Sequence, residues 1–165
     1  MQRIQRITPC LWFDDQAEAA ARFYTGIFGN SRIMGISRYG EAGREFHGKA
    51  PGSVMTVAFE LDGQTFTALN GGPVFTFNEA ISLQVNCETQ DEVDHYWDQL
   101  SMGGDEKARQ CGWLKDRYGV SWQIVPTALV EMLRDADTAK SQRVMQALLQ
   151  MKKLDIADLK RAYAG

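Results

Sequence analysis

The chain has 165 residues, 44% of them hydrophobic and 24% charged, which suits one compact domain or two small fused halves and excludes disorder over most of its length. A net charge of −3, with lysine and arginine scattered among aspartate and glutamate, excludes the basic stripe of a nucleic-acid binder. No apolar run approaches the ~20 residues that span a bilayer, so no membrane partner is expected. In chain order, residues 7–13 (ITPCLWF) read as a short buried strand. Asp15 is placed to cap a helix patterned by Ala17, Ala20, Ala21, Phe23, Tyr24, Ile27 and Phe28, which Gly29-Asn30 stops. Strand character resumes over residues 31–38. Residues 39–53 hold five glycines or prolines and read as a loop. Residues 54–61 alternate, with Met55, Val57, Phe59 and Leu61 on one face, as a half-buried strand does. Asp62-Gly63 is a strong hairpin signal, returning through residues 64–70 to Gly71-Gly72-Pro73.

The order then restarts. Residues 80–87 read as a strand, and Glu88-Thr89 lead into a helix through Val93, Tyr96, Trp97 and Leu100 that Gly103-Gly104 stop. Residues 112–116 and 120–125 read as strands about a turn at Arg117-Tyr118-Gly119, and Pro126 marks the edge of the sheet region. Residues 127–163 read as two or three short helices, with Thr127 and Asp137 as caps and Leu154-Asp155 as a break. The restart has one offset: Ile81/Ile7, Ser82/Thr8, Val85/Leu11, Glu88/Asp14, Gln90/Gln16, Glu92/Glu18, Trp97/Phe23 and Gly103/Gly29 all differ by 74. A duplicated strand–helix–strands unit, about three strands after each helix, leaves one apolar sheet face to cover.

Cys10, Cys87 and Cys111 are widely spaced and odd in number, so no disulfide framework is expected. Cys10 and Cys87 fall on predicted strands and are expected to be buried. The N-terminal segment 1–6 lacks a signal peptide's apolar core, which makes the cytoplasm the expected location.

Five segments carry a resemblance: Cys10-Leu11-Trp12-Phe13-Asp14, the helix end Phe23-Tyr24-Thr25-Gly26-Ile27-Phe28, Leu69-Asn70-Gly71-Gly72-Pro73, Ile81-Ser82-Leu83-Gln84-Val85, and the run from Cys111 to Ile124 (CGWLKDRYGVSWQI). Over residues 5–126 the chain resembles the PhnB-like branch of the vicinal-oxygen-chelate (glyoxalase/bleomycin-resistance) superfamily. The resemblance implies an α+β fold of two βαβββ modules, module 1 at about 5–72 and module 2 at about 79–126, within a domain of residues 1–126. A helical extension over residues 127–165 follows. It also implies a homodimer and a small-molecule pocket in each curved sheet. Proteins of this branch are often described as demethylubiquinone 3-methyltransferases. A bound S-adenosylmethionine usually sits on a glycine-rich strand-to-helix turn. The junctions Phe13-Asp14-Asp15-Gln16 and Cys87-Glu88-Thr89-Gln90 contain no glycine, which argues against that chemistry.

Metal-dependent members of the superfamily use His, Glu or Gln on the sheet strands. The matching positions here fall near residues 7–9, 68–70 and 80–82 and at Gln123, where only Gln123 and Asn70 offer an amide oxygen. Hard divalent cations need several oxygens and usually charge, so no cofactor and no tightly bound metal are expected. His47 lies in the glycine-rich loop and His95 within a helix. The expected ligand-pocket residues are Trp12, Asn70, Ser82, Gln84, Cys111, Trp113, Trp122 and Gln123. The tryptophans offer large apolar walls, against a reading as plain core or dimer packing. Ser82 and Gln84 give a predicted central strand a polar face. Asn70 reads as an amide that binds a ligand or holds the loop at the cleft mouth, or as a turn residue; Gln123 by the resemblance faces the pocket, against a reading as a polar residue on a solvent face. Cys111 is reactive only beside a helix N-terminus or a cation such as Lys115 or Arg117, against a reading as an inert thiol.

No nucleophile–base set is visible, so the catalytic residues are unknown. Three functions compete. One is a metal-independent enzyme on a small organic substrate, needing a perturbed acid or base such as Glu60 or Glu106. The second is a non-catalytic protein that binds or sequesters a small molecule. The third is an interaction module using the helical tail as partner surface.

Overall fold

The computed structural model describes residues 4–165, so residues 1–3 of the N-terminal segment weighed above lie outside the described residues. The fold is α+β, with one sheet of four strands and one of three. The chain divides into two compact units, the first ending at Thr76 and the second beginning at Phe77.

The first unit runs β1 (Cys10–Phe13), α1 (Ala17–Ile27), β2 (Arg32–Arg38), α2 (Arg44–His47), β3 (Val54–Leu61) and β4 (Gln64–Asn70). The strands lie in the order β1-β4-β3-β2, with β1 parallel to β4 and the other pairs antiparallel. This is a complete βαβββ module. Val57, Phe59 and Leu61 are buried on the predicted face of β3. Tyr24 of α1 stacks on Phe59 at 6.3 Å between ring centroids, and Phe59 on Phe66 at 5.5 Å; full burial of each such ring contributes about 1.5–3 kcal/mol. Asp62 and Gly63 take φ of 47° and 77°, the left-handed pair that a tight hairpin requires.

Three expectations for this unit are corrected. Strand β1 begins at Cys10, not at residue 7, and Ile7 and Cys10 are exposed. Upstream of Cys10 one backbone bond remains, Thr67 N–H to Pro9 O at 2.9 Å, and beyond it the Gln5 side chain donates to the Thr65 carbonyl and accepts from its N–H, both at 3.0 Å. The 39–53 loop holds one helical turn, α2. Asp15 does not cap α1: Gln16 takes the cap position without a side-chain bond. Instead Asn70 Oδ1 accepts from Ala17 N–H at 2.8 Å.

The second unit runs β5 (Leu83–Cys87), α3 (Gln90–Ser101), a 3-10 turn (Glu106–Ala108), β6 (Trp113–Lys115), β7 (Ser121–Pro126), α4 (Thr127–Leu133), α5 (Thr138–Leu148) and α6 (Ile156–Ala164). Its sheet is ordered β5-β7-β6, with β5 parallel to β7. The second module is therefore βαββ, one strand short of the expectation. The first unit spends residues 28–53 between its helix and β3, whereas residues 102–112 must join α3 to β6. That stretch carries Gly103, Gly104 and Gly112 among charges and has no alternating apolar pattern to pair.

The repeat survives with one amendment. Phe13 and Cys87, the buried strand ends, lie 74 apart, but the buried helix positions Ala20/Val93, Tyr24/Trp97 and Ile27/Leu100 lie 73 apart. Two residues join β5 to α3 where three join β1 to α1. Trp97 thus matches Tyr24 rather than Phe23. Thr89 caps α3 by accepting from Glu92 N–H at 3.2 Å, while Glu92 accepts from Glu88 N–H at 2.6 Å, a variant of the capping box.

The extension buries Leu129, Met132, Val144, Leu154 and Leu159 in one cluster. Asp137 caps α5 and Asp155 caps α6, but Thr127 is the first residue of α4 and caps nothing. Gln90 of α3 donates to Leu154 O and accepts from Ile156 N–H, and Cys111 and Gly112 donate to Met151 O and Lys152 O. Among the described residues no helix is long and apolar enough to cross a membrane.

Candidate functional site

Alternation along β7 builds the site. Trp122 and Ile124 are 2% and 0% exposed on the core side, so Ser121, Gln123 and Val125 project to the other face. Register then assembles a row across three strands: Gln84 of β5 and Trp113 of β6 both pair with Gln123. Trp113 is 39% exposed and Gln84 is exposed. The amides are organised: Gln123 Nε2 donates to Ser82 Oγ at 2.9 Å, and Gln84 Nε2 to Asn86 Oδ1 at 2.9 Å. On the same face Lys115, opposite Ser121, holds Glu79 Oε1 at 2.6 Å. That bond draws the exposed Glu79 carboxyl below its usual range. Four of the eight predicted pocket residues, Ser82, Gln84, Trp113 and Gln123, meet in this row.

The other four lie elsewhere. Trp122 faces the core, where its indole N–H donates to Asp116 Oδ2 at 2.9 Å. Asp116, 2% exposed, also accepts from Tyr118 N–H and Val120 N–H through Oδ1. The Asp–Gly–Trp spacing that carried the resemblance therefore encodes a tied turn. Cys111 (φ 54°) and Gly112 (φ 83°) form the centre of a tight turn closed by paired Gln110–Trp113 backbone bonds. Its expected cation neighbours are engaged elsewhere, Lys115 with Glu79 and Arg117 Nε with Met102 O.

Trp12 and Asn70 belong to the first unit. The Trp12 indole donates to Gly72 O at 2.9 Å, its ring meets Phe75 edge-on at 5.0 Å, and a Cβ on Gly71 would fall 2.2 Å from it. Asn70 is buried, and its amide is bonded through both its oxygen and its nitrogen. Beyond capping α1 it donates to Val54 O at 3.2 Å, and its carbonyl accepts from the Tyr39 hydroxyl at 2.6 Å. Tyr39 in turn packs on His47 at 4.5 Å, and His47 Nδ1 accepts from Lys49 N–H. His47 thus organises its own loop. Asn70 also lines a shallow cleft of about 220 Å³ with Asp15, Glu18, Lys49, Ser53 and Val54, an ionic recess without an aromatic wall.

The proposed acid–base candidates are not on the row. Glu60 accepts from Arg32 at 3.0 Å, and Glu106 lies 3.9 Å from Arg109. Burial, with the Glu92 charge adding to it, pushes the Cys87 thiol up to about 12, so it is no thiolate near neutral pH. Among the described residues no three His, Cys, Asp or Glu side chains gather to hold a metal ion. Sequence reasoning missed Asn86, Lys115 and Glu79 as companions of the row. Asn86 was within reach, since it continues the alternation of Ser82 and Gln84.

Residues 5–125 match the family described as 3-demethylubiquinone-9 3-methyltransferase. Among solved structures, a PhnB protein from Bacillus cereus is 38% identical over 74% of this chain and 100% of its own, with a TM-score of 0.63. Two more distant structures share the fold. Protein PA1353 from Pseudomonas aeruginosa is 18% identical, covers 74% of this chain and 98% of its own, and has a TM-score of 0.57. The fosfomycin resistance protein FosX from Mesorhizobium loti is 14% identical, covers 82% and 99%, and has a TM-score of 0.54. No curated protein matches the sequence.

Proposed function

Because the chain belongs to the family described as 3-demethylubiquinone-9 3-methyltransferase, the PhnB-like branch of the vicinal-oxygen-chelate superfamily, we propose that it binds a small organic molecule on the Gln84–Gln123–Trp113 row, without a divalent cation. The row itself carries this reading: two amides that both give and accept hydrogen bonds lie beside a half-exposed indole. Such a surface suits a planar ligand with a few polar atoms.

The residues present do not fit the groups that the family suggests. The expected ligand positions offer Thr8, Asn70, Ser82 and Gln123 but no His and no carboxylate, and facing positions in register add Gln84, Cys10 and Thr67. Amides, a thiol and hydroxyls lack the charge and ligand number that a hard divalent cation needs. S-adenosylmethionine fits no better. Neither strand-to-helix junction has a glycine, and their N–H groups are engaged, Ala17 by Asn70, Glu92 by Thr89 and Glu88 by Glu92.

Binding without chemistry is the better supported outcome for the ligand. Gln, Asn, Ser and Trp neither give up nor take a proton near neutral pH. The second reading, a metal-independent enzyme, rests on Lys115 and Glu79 as an ionisable pair on the same face. A thermal-shift screen of small aromatic compounds in EDTA, followed by mass analysis of each hit, separates the two. The expected result is a raised Tm, lost in Trp113→Ala, with the compound recovered unchanged. Recovery of a converted compound supports the enzyme, and hits that appear only on adding Mn²⁺ or Zn²⁺ overturn the proposal. A homodimer in a reducing cytoplasm belongs to the same proposal, supported by the exposed apolar side chains of Ile7, Val74 and Ile81 and by three unpaired cysteines. Light scattering after size exclusion tests the dimer.

A further inference from the structure

At one end of the row Ser121 is 2% exposed, yet its hydroxyl has no hydrogen-bond partner among the described residues. Native folds rarely bury a hydroxyl unpaired, because nothing repays its lost hydration. Lys115 lies directly across the ladder from Ser121. Opposite residues of an antiparallel pair share a face, with Cβ atoms about 4.5–5.5 Å apart. The Lys115 ammonium is held at 2.6 Å by Glu79; the two side chains are 26% and 68% exposed. An ion pair whose carboxylate is this exposed is weak and readily exchanged.

We infer that Lys115 and Ser121 form an anion-recognising end of the ligand face, and that Glu79 occupies it as an internal stand-in for a carboxylate carried by the ligand. This rests on the row being the ligand face and adds the ligand's class, a small aromatic or heteroaromatic acid. The Lys115–Ser121 pair and the Trp113–Gln123 pair are two residues apart on the same strands, a spacing of about 7 Å. A single ring bearing a carboxylate spans that distance. Its ring would lie against Trp113 and its carboxylate would replace that of Glu79 on Lys115, accepting the hydrogen bond that the Ser121 hydroxyl lacks. The exchange leaves no charge unpaired at Lys115 and returns Glu79 to water.

The test is a chemical-shift titration of the full chain with benzoate and with benzamide, its uncharged analogue, read at the Trp113 indole and the Gln123 amide. Benzoate is expected to bind more tightly than benzamide. Glu79→Gln, which removes the internal competitor's charge, is expected to tighten benzoate about threefold and leave benzamide unchanged, and Lys115→Met to weaken benzoate about tenfold, to the level of benzamide. Ser121→Ala is expected to weaken benzoate without lowering Tm, a combination that a merely structural hydroxyl would not produce. If benzamide perturbs the row and benzoate binds no better, in wild type and Glu79→Gln alike, the anion end is overturned and the ligand face stands. If neither compound perturbs the row, the ligand face falls with it.

Discussion

The Asn70 amide joins three separated pieces of the first unit: the start of α1, the start of β3 and the end of β4. Asn70→Ala orphans the Ala17 N–H and the Val54 carbonyl, and is expected to cost about 1–3 kcal/mol, read as a lower urea midpoint with unchanged slope. Asn70→Asp keeps the acceptor but sets a carboxylate oxygen against the Val54 carbonyl, so it is expected to destabilise as well. No sequence reading of Asn70, as ligand amide, loop-holding amide or turn residue, foresaw the cap, because the capped N–H is 53 residues away and no local motif marks it. Gln123 was more legible, since Trp122 and Ile124 flank it and alternation alone gives its face. Among the cysteines the order of reactivity is expected to follow burial. Cys10 is exposed, contrary to expectation, and Cys87 is buried with its thiol at about 12. Partial burial holds the Cys10 thiol above its ordinary value too, so an alkylating reagent is expected to modify Cys10 before Cys87, and Cys87 only after unfolding, as peptide mass mapping would show; equal rates would contradict this. The Cys87 shift also fixes a sign. The raised value means the folded state holds the neutral thiol, so that contribution is intact below pH 9.0 and is lost as the pH climbs towards 12.

At the scale of elements, the strands and helices were largely readable and their lengths less so. β3, its hairpin and β4 begin and end where alternation and Asp62-Gly63 placed them. The edge strands β1 and β5 start later than their apolar runs suggest, because a run becomes a strand only where a neighbour supplies a ladder. The 74-residue offset located both helices, but the junction that is one residue shorter turned the buried face of α3 by one position. Only packing reveals that, since both registers look amphipathic. The helical tail, weighed as a partner surface, packs its apolar residues in its own cluster. Tyr163 in α6 donates its hydroxyl to Asp135 after α4. That hydrogen bond holds the Asp135 carboxyl below its ordinary 3.8. A lowered folded value gives stability that is present above 3.8 and lost as the pH falls through the folded value. Tyr163→Phe is therefore expected to lower Tm at neutral pH and to match wild type in strong acid. A Tm gap that persists undiminished in acid would contradict the assignment.

For the whole molecule, repeat, hairpin and motif together were enough to reach the fold, and the family match over residues 5–125 agrees. The candidate site was only half legible. Polarity at Ser82, Gln84 and Gln123 could be read strand by strand, but Trp113, Lys115 and Glu79 join them through the non-local pairing of β5, β7 and β6. Trp122 was expected as one of three tryptophan walls, but its bond to Asp116 places it in the core. Above all, the protein is proposed to hold an organic ligand on the Gln84–Gln123–Trp113 row without a divalent cation. Native mass spectrometry with elemental analysis, on protein purified from its own cells without chelator, tests this most directly. The expected result is an organic adduct that Trp113→Ala loses, with metal far below one ion per chain; one tightly held divalent cation per chain would contradict the claim.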